Sequence, residues 1–139
     1  MKILIGTDGS DFSHEAVSMA CKTIADPANT EVKIISVFQT YFPLDAYSQS
    51  PEYSVVYETA MRTIADKSAN EAVLAIQEYF PSSEINVSCL VKSGTSDQVI
   101  IETAQEWNAD LIVVGSHGRG FWGRVMIGSV SDSLVHNAP

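Results

Sequence analysis

The sequence predicts a single α/β domain in which helices cover both faces of an open, mainly parallel sheet. Two observations lead to this fold class. Along the chain, the spacing of apolar residues alternates between strand-like and helix-like patterns through four rounds of strand and helix. The 139 residues, 45% of them hydrophobic, have the length of one compact domain that can bury its own core.

Two strand and helix pairs fill the first half of the chain. The strand "KILIG" (2–6) precedes a helix, and the strand "EVKIISVF" (31–38) precedes a long helix that runs up to Phe80, where Pro81 stops it. The first helix is predicted to turn inward the residues Val17, Ala20, Cys21 and Ile24. The long helix is predicted to turn inward Val56, Ala60, Ile64, Ala72, Val73 and Ile76.

Two further pairs follow. The strand "INVSCLV" (85–91) leads to a helix for which Thr95 and Gln98 predict a capping box. The strand "DLIVVG" (110–115) is nearly all apolar, which predicts burial on both faces. From Gly128 onward a last helix is expected. The inward residues of these two helices are predicted to be Val99, Ile100, Ala104 and Trp107, then Val130, Leu134 and Val135.

Composition excludes several classes of protein. Seventeen acidic residues against eight basic ones give a net charge of −9, which opposes binding to nucleic acid or to an anionic membrane surface. The apolar run before "GTDGS" is too short for a signal peptide or a membrane anchor. Cys21 and Cys89 lie in apolar patterns and are predicted to be buried free thiols, which fits a reducing cytoplasm.

One segment differs from this acidic background. Residues 115–133 hold five glycines and two arginines, and no Asp or Glu occurs from Leu111 to Ser131. In a parallel sheet, ligands bind beyond the carboxyl ends of strands, where the strand order reverses. Glycines let backbone N–H groups approach phosphate oxygens, and a helix N-terminus attracts anions. The segment therefore predicts a phosphate-binding loop, in preference to a loop that merely turns a corner.

Three better-known phosphate sites do not fit. Residues 118–123 spell G-x-G-x-x-G, but they follow the fourth strand rather than the first, and no ribose-binding residue remains about twenty positions on. The chain has no Gly-Lys-Ser/Thr, which excludes a Walker P-loop. Asp8 follows the first strand as in a receiver domain, but the third strand ends in Lys92-Ser93-Gly94, without an acceptor carboxylate.

Together these motifs resemble the ATP-binding branch of the universal stress protein family. That branch has a glycine, two residues, a glycine, nine residues, then glycine and serine or threonine, and Gly115, Gly118, Gly128 and Ser129 match every position. The segments "GTDGSDFSHEA" and Ser93-Gly94 are similar to the family's as well. The resemblance covers nearly all of residues 1–139 and implies a Rossmann-like domain with strand order 3-2-1-4-5. The final strand of that order is expected to be absent from this chain.

The resemblance also implies a site for ATP, with Mg²⁺. Asp8, with Gly6 and Thr7 beside it, matches the adenosine end of the pocket, and Val37 matches the position whose backbone meets adenine. Val114 and Gly115 match the strand end under the ribose and phosphates. The positions that match the phosphate loop are Gly118, Arg119, Gly128, Ser129, Val130 and Ser131.

These matches imply an ATP-binding regulator of a cytoplasmic protein or a membrane transporter, acting as a homodimer or a larger homo-oligomer. The alternative is an enzyme that slowly hydrolyses ATP or transfers a nucleotidyl group, for which no general base can be assigned with Asp8 engaged in binding. A flavin module would leave the nine-residue spacing unexplained. Two questions stay open: whether His117 touches phosphate or faces solvent, and whether Phe121 and Trp122 contact a partner or their own loop.

Overall fold

Four strands and four helices alternate in the computed structural model, which describes residues 1–40, 51–82, 85–117 and 128–138. A short 3-10 turn at Pro27–Asn29 precedes the second strand. In chain order the elements are β1 (Lys2–Gly6), α1 (Asp11–Thr23), β2 (Glu31–Phe38), α2 (Pro51–Tyr79), β3 (Asn86–Ser93), α3 (Ser96–Trp107), β4 (Leu111–Val114) and α4 (Ser129–Asn137).

The strands form one parallel sheet in the order β3-β2-β1-β4. This confirms the predicted fold class and the first four positions of the strand order; within the described ranges the sheet has no fifth strand. At the carboxyl end of β1, Gly6 lies opposite Ile35 of β2 and Val114 of β4. The chain moves outward from β1 to β3 and then returns to β1's other side, so the strand order reverses between β1 and β4.

Helices cover both faces of the sheet, and side-chain alternation in β1 decides which residue meets which layer. Ile3 and Ile5 face α1 and α2, whereas Leu4 faces α3 and α4, and all three are fully buried. Burying one such side chain contributes roughly 1.5 to 3 kcal/mol to the free energy of unfolding. The helix residues of the first core cluster are Val17, Ala20, Cys21, Ile24, Ala69, Ala72 and Ile76, and those of the second are Ile100, Ala104 and Leu134.

The strand β4 is less buried than its apolar sequence predicts. Leu111 is 39% exposed, and the next three residues are only partly buried. The strand is exposed because it pairs on one side only: in the described part of the chain its single neighbour is β1. Its other edge borders an apolar groove beside Leu134 and Val135 of α4. The prediction of burial on both faces is therefore confirmed only in part: Val113 packs against the core on one face and Ile112 and Val114 on the other, but none is fully buried.

The long helix α2 buries side chains only in its second half, although Arg62 of the first half lies over the Phe38 ring of β2. Ala72, Val73 and Ile76 face the core as predicted, but Val56, Ala60 and Ile64 are exposed, so that part of the prediction is wrong. A helix of 29 residues is about 44 Å long. A strand of eight residues spans only about 26 Å, so the sheet cannot cover the whole helix.

Two predictions about the last helices are also wrong. Thr95 is the N-cap of α3, but its side chain makes no capping hydrogen bond, and Gln98 donates instead to Glu102 at 2.9 Å. No capping box forms. In α4, Val135 is 77% exposed, whereas Leu134 is buried and Val130 packs against the second core cluster. The predicted inward residues of α3 do pack against that cluster.

Both cysteines are free thiols, as predicted, but only Cys21 is buried. Cys89 in β3 is exposed, so the prediction that it is buried is wrong. Burial raises the pKa of the Cys21 thiol.

We expect the exposed Cys89 thiol of the folded protein to react quickly with an aromatic disulfide reagent, because a reactive cysteine must be accessible. Cys89→Ser should remove the fast reaction, and the remaining thiol should react only after urea unfolds the chain. Cys21→Ser is the matched control and should leave the fast phase intact. A fast phase that survives in Cys89→Ser would contradict this assignment.

Within the four described ranges, no helix combines the length and the apolar character that crossing a bilayer requires.

Candidate functional site

A cleft opens at the carboxyl ends of β1 and β4, at the point where the strand order reverses. Four parts of the chain form it: the turn after β1, the end of β2, the start of α3, and the segments around β4's end and α4's start. The described residues that line it are Gly6, Thr7, Asp8, Ser13, Ile35, Val37, Ser96, Ile100, Val114, Gly115, His117, Gly128, Ser129, Val130 and Ser131.

Hydrogen bonds fix the turn between β1 and α1. Asp8 accepts from the Ser10 N–H at 2.9 Å, which is an Asx turn, and Gly9 takes a positive φ of 75° that suits glycine. Ser10 caps α1 by accepting from the Ser13 N–H. Thr7 donates to the buried Ser13 hydroxyl at 3.1 Å. The turn therefore holds the Asp8 carboxylate at the cleft in a defined position.

The floor of the cleft is tightly packed at Gly6. A Cβ on this residue would lie 3.0 Å from Cγ1 of Val114 and 3.1 Å from Cδ1 of Ile100. Together with Ile35 and Val37, these side chains form an apolar wall on one side of the cleft. The other side is polar, with backbone and hydroxyl groups of α4's first turn.

Gly115 lets the end of β4 approach the backbone of α1. A Cβ there would lie 2.9 Å from the carbonyl carbon of Phe12 and 3.0 Å from the Ser13 nitrogen. Real Cβ atoms essentially never come this close to backbone atoms. The sequence assigned Gly115 to ligand approach; the structure shows that packing alone already requires glycine here.

The start of α4 is held by the backbone that follows β4. Gly128 donates its N–H to the Ser116 carbonyl at 2.7 Å, and Ser131 donates its hydroxyl to the same carbonyl at 3.2 Å. Gly128 is the N-cap and has no side chain to cap the helix. The N–H groups of the next three residues, Ser129 to Ser131, have no intrahelical acceptor at this end of the helix. They give the polar side of the cleft a partial positive charge.

His117 lines the cleft beside this helix start. Its ring lies against the Phe12 ring with centroids 4.8 Å apart, and its Nδ1 is 3.0 Å from the Ser116 hydroxyl. His117 is therefore a partly buried residue of the cleft, and whether it touches phosphate stays a prediction. The other two histidines, His14 on α1 and His136 on α4, are both exposed.

The structure thus brings together every predicted site residue that it describes. Gly118 and Arg119 lie outside the described residues, as do Phe121 and Trp122. Sequence reasoning missed Ser13, Ile35, Ser96 and Ile100 as lining residues. Ser96 and Ile100 could have been found, because they lie at the start of α3. This helix begins just beyond the carboxyl end of β3, at the edge of the sheet where ligands bind.

Near the cleft, α3 and α4 are joined by a short hydrogen bond, in which the Ser133 hydroxyl donates to the Asp97 carboxylate at 2.6 Å. This bond lowers the pKa of Asp97, and the Gln98 backbone N–H lowers it further. Because the pKa is lowered in the folded state, the ionised Asp97 carboxylate stabilises the fold at pH values above the ordinary carboxyl pKa. This contribution is lost as the pH falls through the lowered pKa.

We therefore expect Ser133→Ala to destabilise the protein relative to wild type at neutral pH, with a difference that shrinks as the pH falls below about 4. Carbon-detected NMR should show the Asp97 carboxyl titrating at higher pH in the variant. Val135→Ala, at an exposed position of the same helix, is the matched control. An unchanged Asp97 titration in Ser133→Ala would show that the hydroxyl does not stabilise the carboxylate.

The described parts of the chain contain no group of three or more His, Cys, Asp and Glu side chains arranged to hold a metal ion. Asp8 is the single carboxylate among the described lining residues.

A parallel sheet flanked by helices, with its cleft at the point of strand reversal, defines a Rossmann-like α/β domain. The model of the universal stress protein family matches residues 1–139, and the chain belongs to that family. A universal stress protein of Methanocaldococcus jannaschii is 29% identical over 140 residues, which cover 99% of this chain and 76% of that relative.

Solved structures show the same fold. The universal stress protein UspA from Lactobacillus plantarum superposes with a TM-score of 0.79 at 23% identity, over 100% of this chain and 92% of that chain. A family protein from Arabidopsis thaliana, solved with AMP bound, has a TM-score of 0.69 at 17% identity, over 99% and 86%. A universal stress protein in complex with cAMP has a TM-score of 0.63 at 22% identity, over 99% and 91%.

Proposed function

We propose that the chain binds ATP, with Mg²⁺, in this cleft and acts as a nucleotide-dependent regulator of the ATP-binding branch of the family. The observation that carries the proposal is the composition of the cleft. One end has an apolar wall and a fixed carboxylate, and the other has the uncapped start of a helix. Adenosine suits the first end and phosphates suit the second.

The adenosine end is supported by the strand register. Pairing between β1 and β2 ends at Gly6 and Ile35, whereas β2 continues to Phe38. The backbone of Val37 thus extends beyond the last pair with β1, where it can bond to the edge of an adenine ring. Asp8, held by the Ser10 N–H, offers carboxylate oxygen to the ribose hydroxyls.

The phosphate end is supported by the backbone of α4. The N–H groups of Ser129, Val130 and Ser131 lie at the helix start, and the helix dipole adds attraction for anions. No Asp or Glu occurs from Leu111 to Ser131, which limits repulsion of phosphate, although Asp132 lies in the first turn of α4. Gly118 and Arg119, which the family motif assigns to the same phosphates, complete the proposed site.

Mg²⁺ fits this cleft as a companion of the nucleotide. The ion keeps several waters and is usually held by one or two carboxylates together with substrate phosphates. With Asp8 assigned to the ribose hydroxyls, the described lining residues offer no further carboxylate, so the ATP phosphates and water would supply the oxygen ligands of Mg²⁺. The AMP-bound and cAMP-bound relatives support an adenine nucleotide, and ATP adds the charge that the helix start favours.

A regulatory role follows from what the cleft offers to a bound nucleotide. Hydrolysis needs a positioned water and stabilisation of the transition-state charge. Asp8 already accepts from the Ser10 N–H, and the described lining residues include no second carboxylate. Nucleotide would instead shift a conformational or assembly equilibrium by binding one state better than another. We place this activity in the cytoplasm, in a homodimer or larger homo-oligomer that acts on a cytoplasmic protein or a membrane transporter.

The test is to identify the nucleotide that the purified protein releases on denaturation by mass spectrometry, and then to titrate the stripped protein with ATP by calorimetry. We expect binding of ATP with Mg²⁺, and an Asp8→Asn variant that binds roughly tenfold more weakly. Asp11→Asn, on the exposed side of α1's first turn, is the matched control and should bind normally. A folded protein that gives no heat with millimolar ATP would refute the proposal.

A further inference from the structure

We propose that the hydrogen bond between Ser133 of α4 and Asp97 of α3 positions the phosphate end of the cleft, so that it raises the affinity for ATP and leaves that for adenosine unchanged. Neither residue is among the described residues that line the cleft. Both are positioning residues that act through the first turn of α4. The inference rests on the proposed function and adds two residues to which the family motif assigns no role.

The bond joins the two helices beside the cleft. The Ser133 hydroxyl donates to the Asp97 carboxylate at 2.6 Å, a distance typical of a charge-assisted hydrogen bond. Asp97 directly follows Ser96 on α3, and Ser133 lies one turn after Ser129 on α4; both of these neighbouring serines line the cleft. The Asn137 side chain donates to the Ser133 oxygen at 3.5 Å, which leaves the hydroxyl proton for the carboxylate. The bond therefore links one wall of the cleft to the other.

The two helices differ in how firmly the core holds them. The 12 residues of α3 include three buried ones, Ile100, Thr103 and Ala104. The nine residues of α4 include one, Leu134. Loss of the bond therefore leaves α3 fixed on the sheet and allows α4 to move. Because the N–H groups proposed to contact phosphate belong to α4, this movement changes the phosphate end of the cleft.

A single buried side chain does not fix the rotation of α4 about its own axis. Successive residues of a helix are about 100° apart, so Ser133 holds α4 in a different direction from Leu134. Residues three and four positions apart share a face, which places the cleft residues Ser129 and Val130 on the Ser133 side of the helix. The Ser116 carbonyl holds the helix start from the side of β4, and Asp97 holds the helix from the side of α3.

The adenosine end of the cleft is held by other parts of the chain. Its carboxylate belongs to the turn after β1, where Asp8 accepts from the Ser10 N–H. Its apolar wall consists of strand residues and of Ile100, which the core holds in place. A movement of α4 should therefore affect contacts with the phosphates of ATP and spare those with adenosine.

The experiment is a double-mutant cycle of Ser133→Ala and Asp97→Ala, with calorimetric titration of ATP with Mg²⁺ and of adenosine. We expect Ser133→Ala to bind ATP about fivefold to tenfold more weakly than wild type and to bind adenosine equally well. In the Asp97→Ala background the serine change should have almost no effect, because the acceptor is gone. The cycle cancels the repulsion between the Asp97 carboxylate and phosphate. Ser133→Thr keeps the hydroxyl and should restore most of the ATP affinity.

Controls separate the position of α4 from general damage to the fold. Urea unfolding establishes that each variant is folded under the conditions of the titration, and Val135→Ala, at an exposed position of α4, should bind both ligands as wild type does. Wild-type ATP affinity in Ser133→Ala, an equal loss of adenosine affinity, or a serine effect that persists in Asp97→Ala overturns the inference and leaves the proposed function standing. If the wild type does not bind ATP, both fall.

Discussion

Gly128→Ala is expected to weaken ATP binding by about a hundredfold or more, because its Cβ would lie 2.8 Å from the Ser116 carbonyl oxygen. That oxygen now accepts the Gly128 N–H at 2.7 Å, and the added carbon must push the start of α4 away from the end of β4. The N–H groups of Ser129 to Ser131 then leave the position proposed for phosphate contact. Calorimetry with ATP measures the loss.

A matched control lies on the same helix. Val135→Ala changes an exposed side chain of α4 and should bind ATP as wild type does. Stability should fall much less than affinity in Gly128→Ala, because Leu134 is the one fully buried residue of α4. Urea unfolding distinguishes the two effects. Wild-type ATP affinity in Gly128→Ala would mean that this backbone contact does not position the site.

The second large effect is expected at Gly115, where alanine should lower the free energy of unfolding by about 3 kcal/mol and valine by more. The Cβ would meet the carbonyl carbon of Phe12 at 2.9 Å and the nitrogen of Ser13 at 3.0 Å. Neither atom can move freely, because Ser13 is buried and hydrogen-bonded to Thr7 and to the Ser10 cap. Since a domain is stabilised by about 5 to 15 kcal/mol in total, this is a severe loss.

Urea unfolding followed by circular dichroism gives the measurement. Ser116→Ala, at the exposed next position, controls for disturbance of the loop and should lie within about 0.5 kcal/mol of wild type. A Gly115→Ala variant as stable as wild type would show that β4 and α1 can separate at no cost, contrary to the packing described above.

The sequence predicts the sheet and the composition of the cleft well because both depend on local patterns. Alternating periodicities identify strands and helices, and the rule that ligands bind at strand ends brings Asp8 and Ser129 to one edge of the sheet. Local patterns do not predict why glycine is required at particular positions of the cleft. Gly115 and Gly128 each lie against backbone from a distant part of the chain, and a sequence does not show which atoms a missing Cβ would have met.

Burial is predicted less well where it depends on the extent of the sheet. "LIVV" has the composition of a central strand, but its burial depends on neighbours, and β4 has one among the described residues. Val56 and Ile64 show the apolar pattern of α2 although they precede the part of the helix that is buried against the sheet. Periodicity shows that a helix has an apolar face; it does not show how far along that face a partner extends.

The half-covered helix α2 has a consequence for how the protein opens. Residues 65–76 are held by the core, so exchanging their amide hydrogens requires the layer of α1 and α2 to separate from the sheet. No residue from 51 to 64 is buried, so opening that half breaks helix hydrogen bonds and surface contacts, such as that of Arg62 with the Phe38 ring, while the buried core clusters stay in place. We therefore expect the two halves of one continuous helix to belong to different cooperative units, with amide hydrogens of the first half exchanging faster than those of the second.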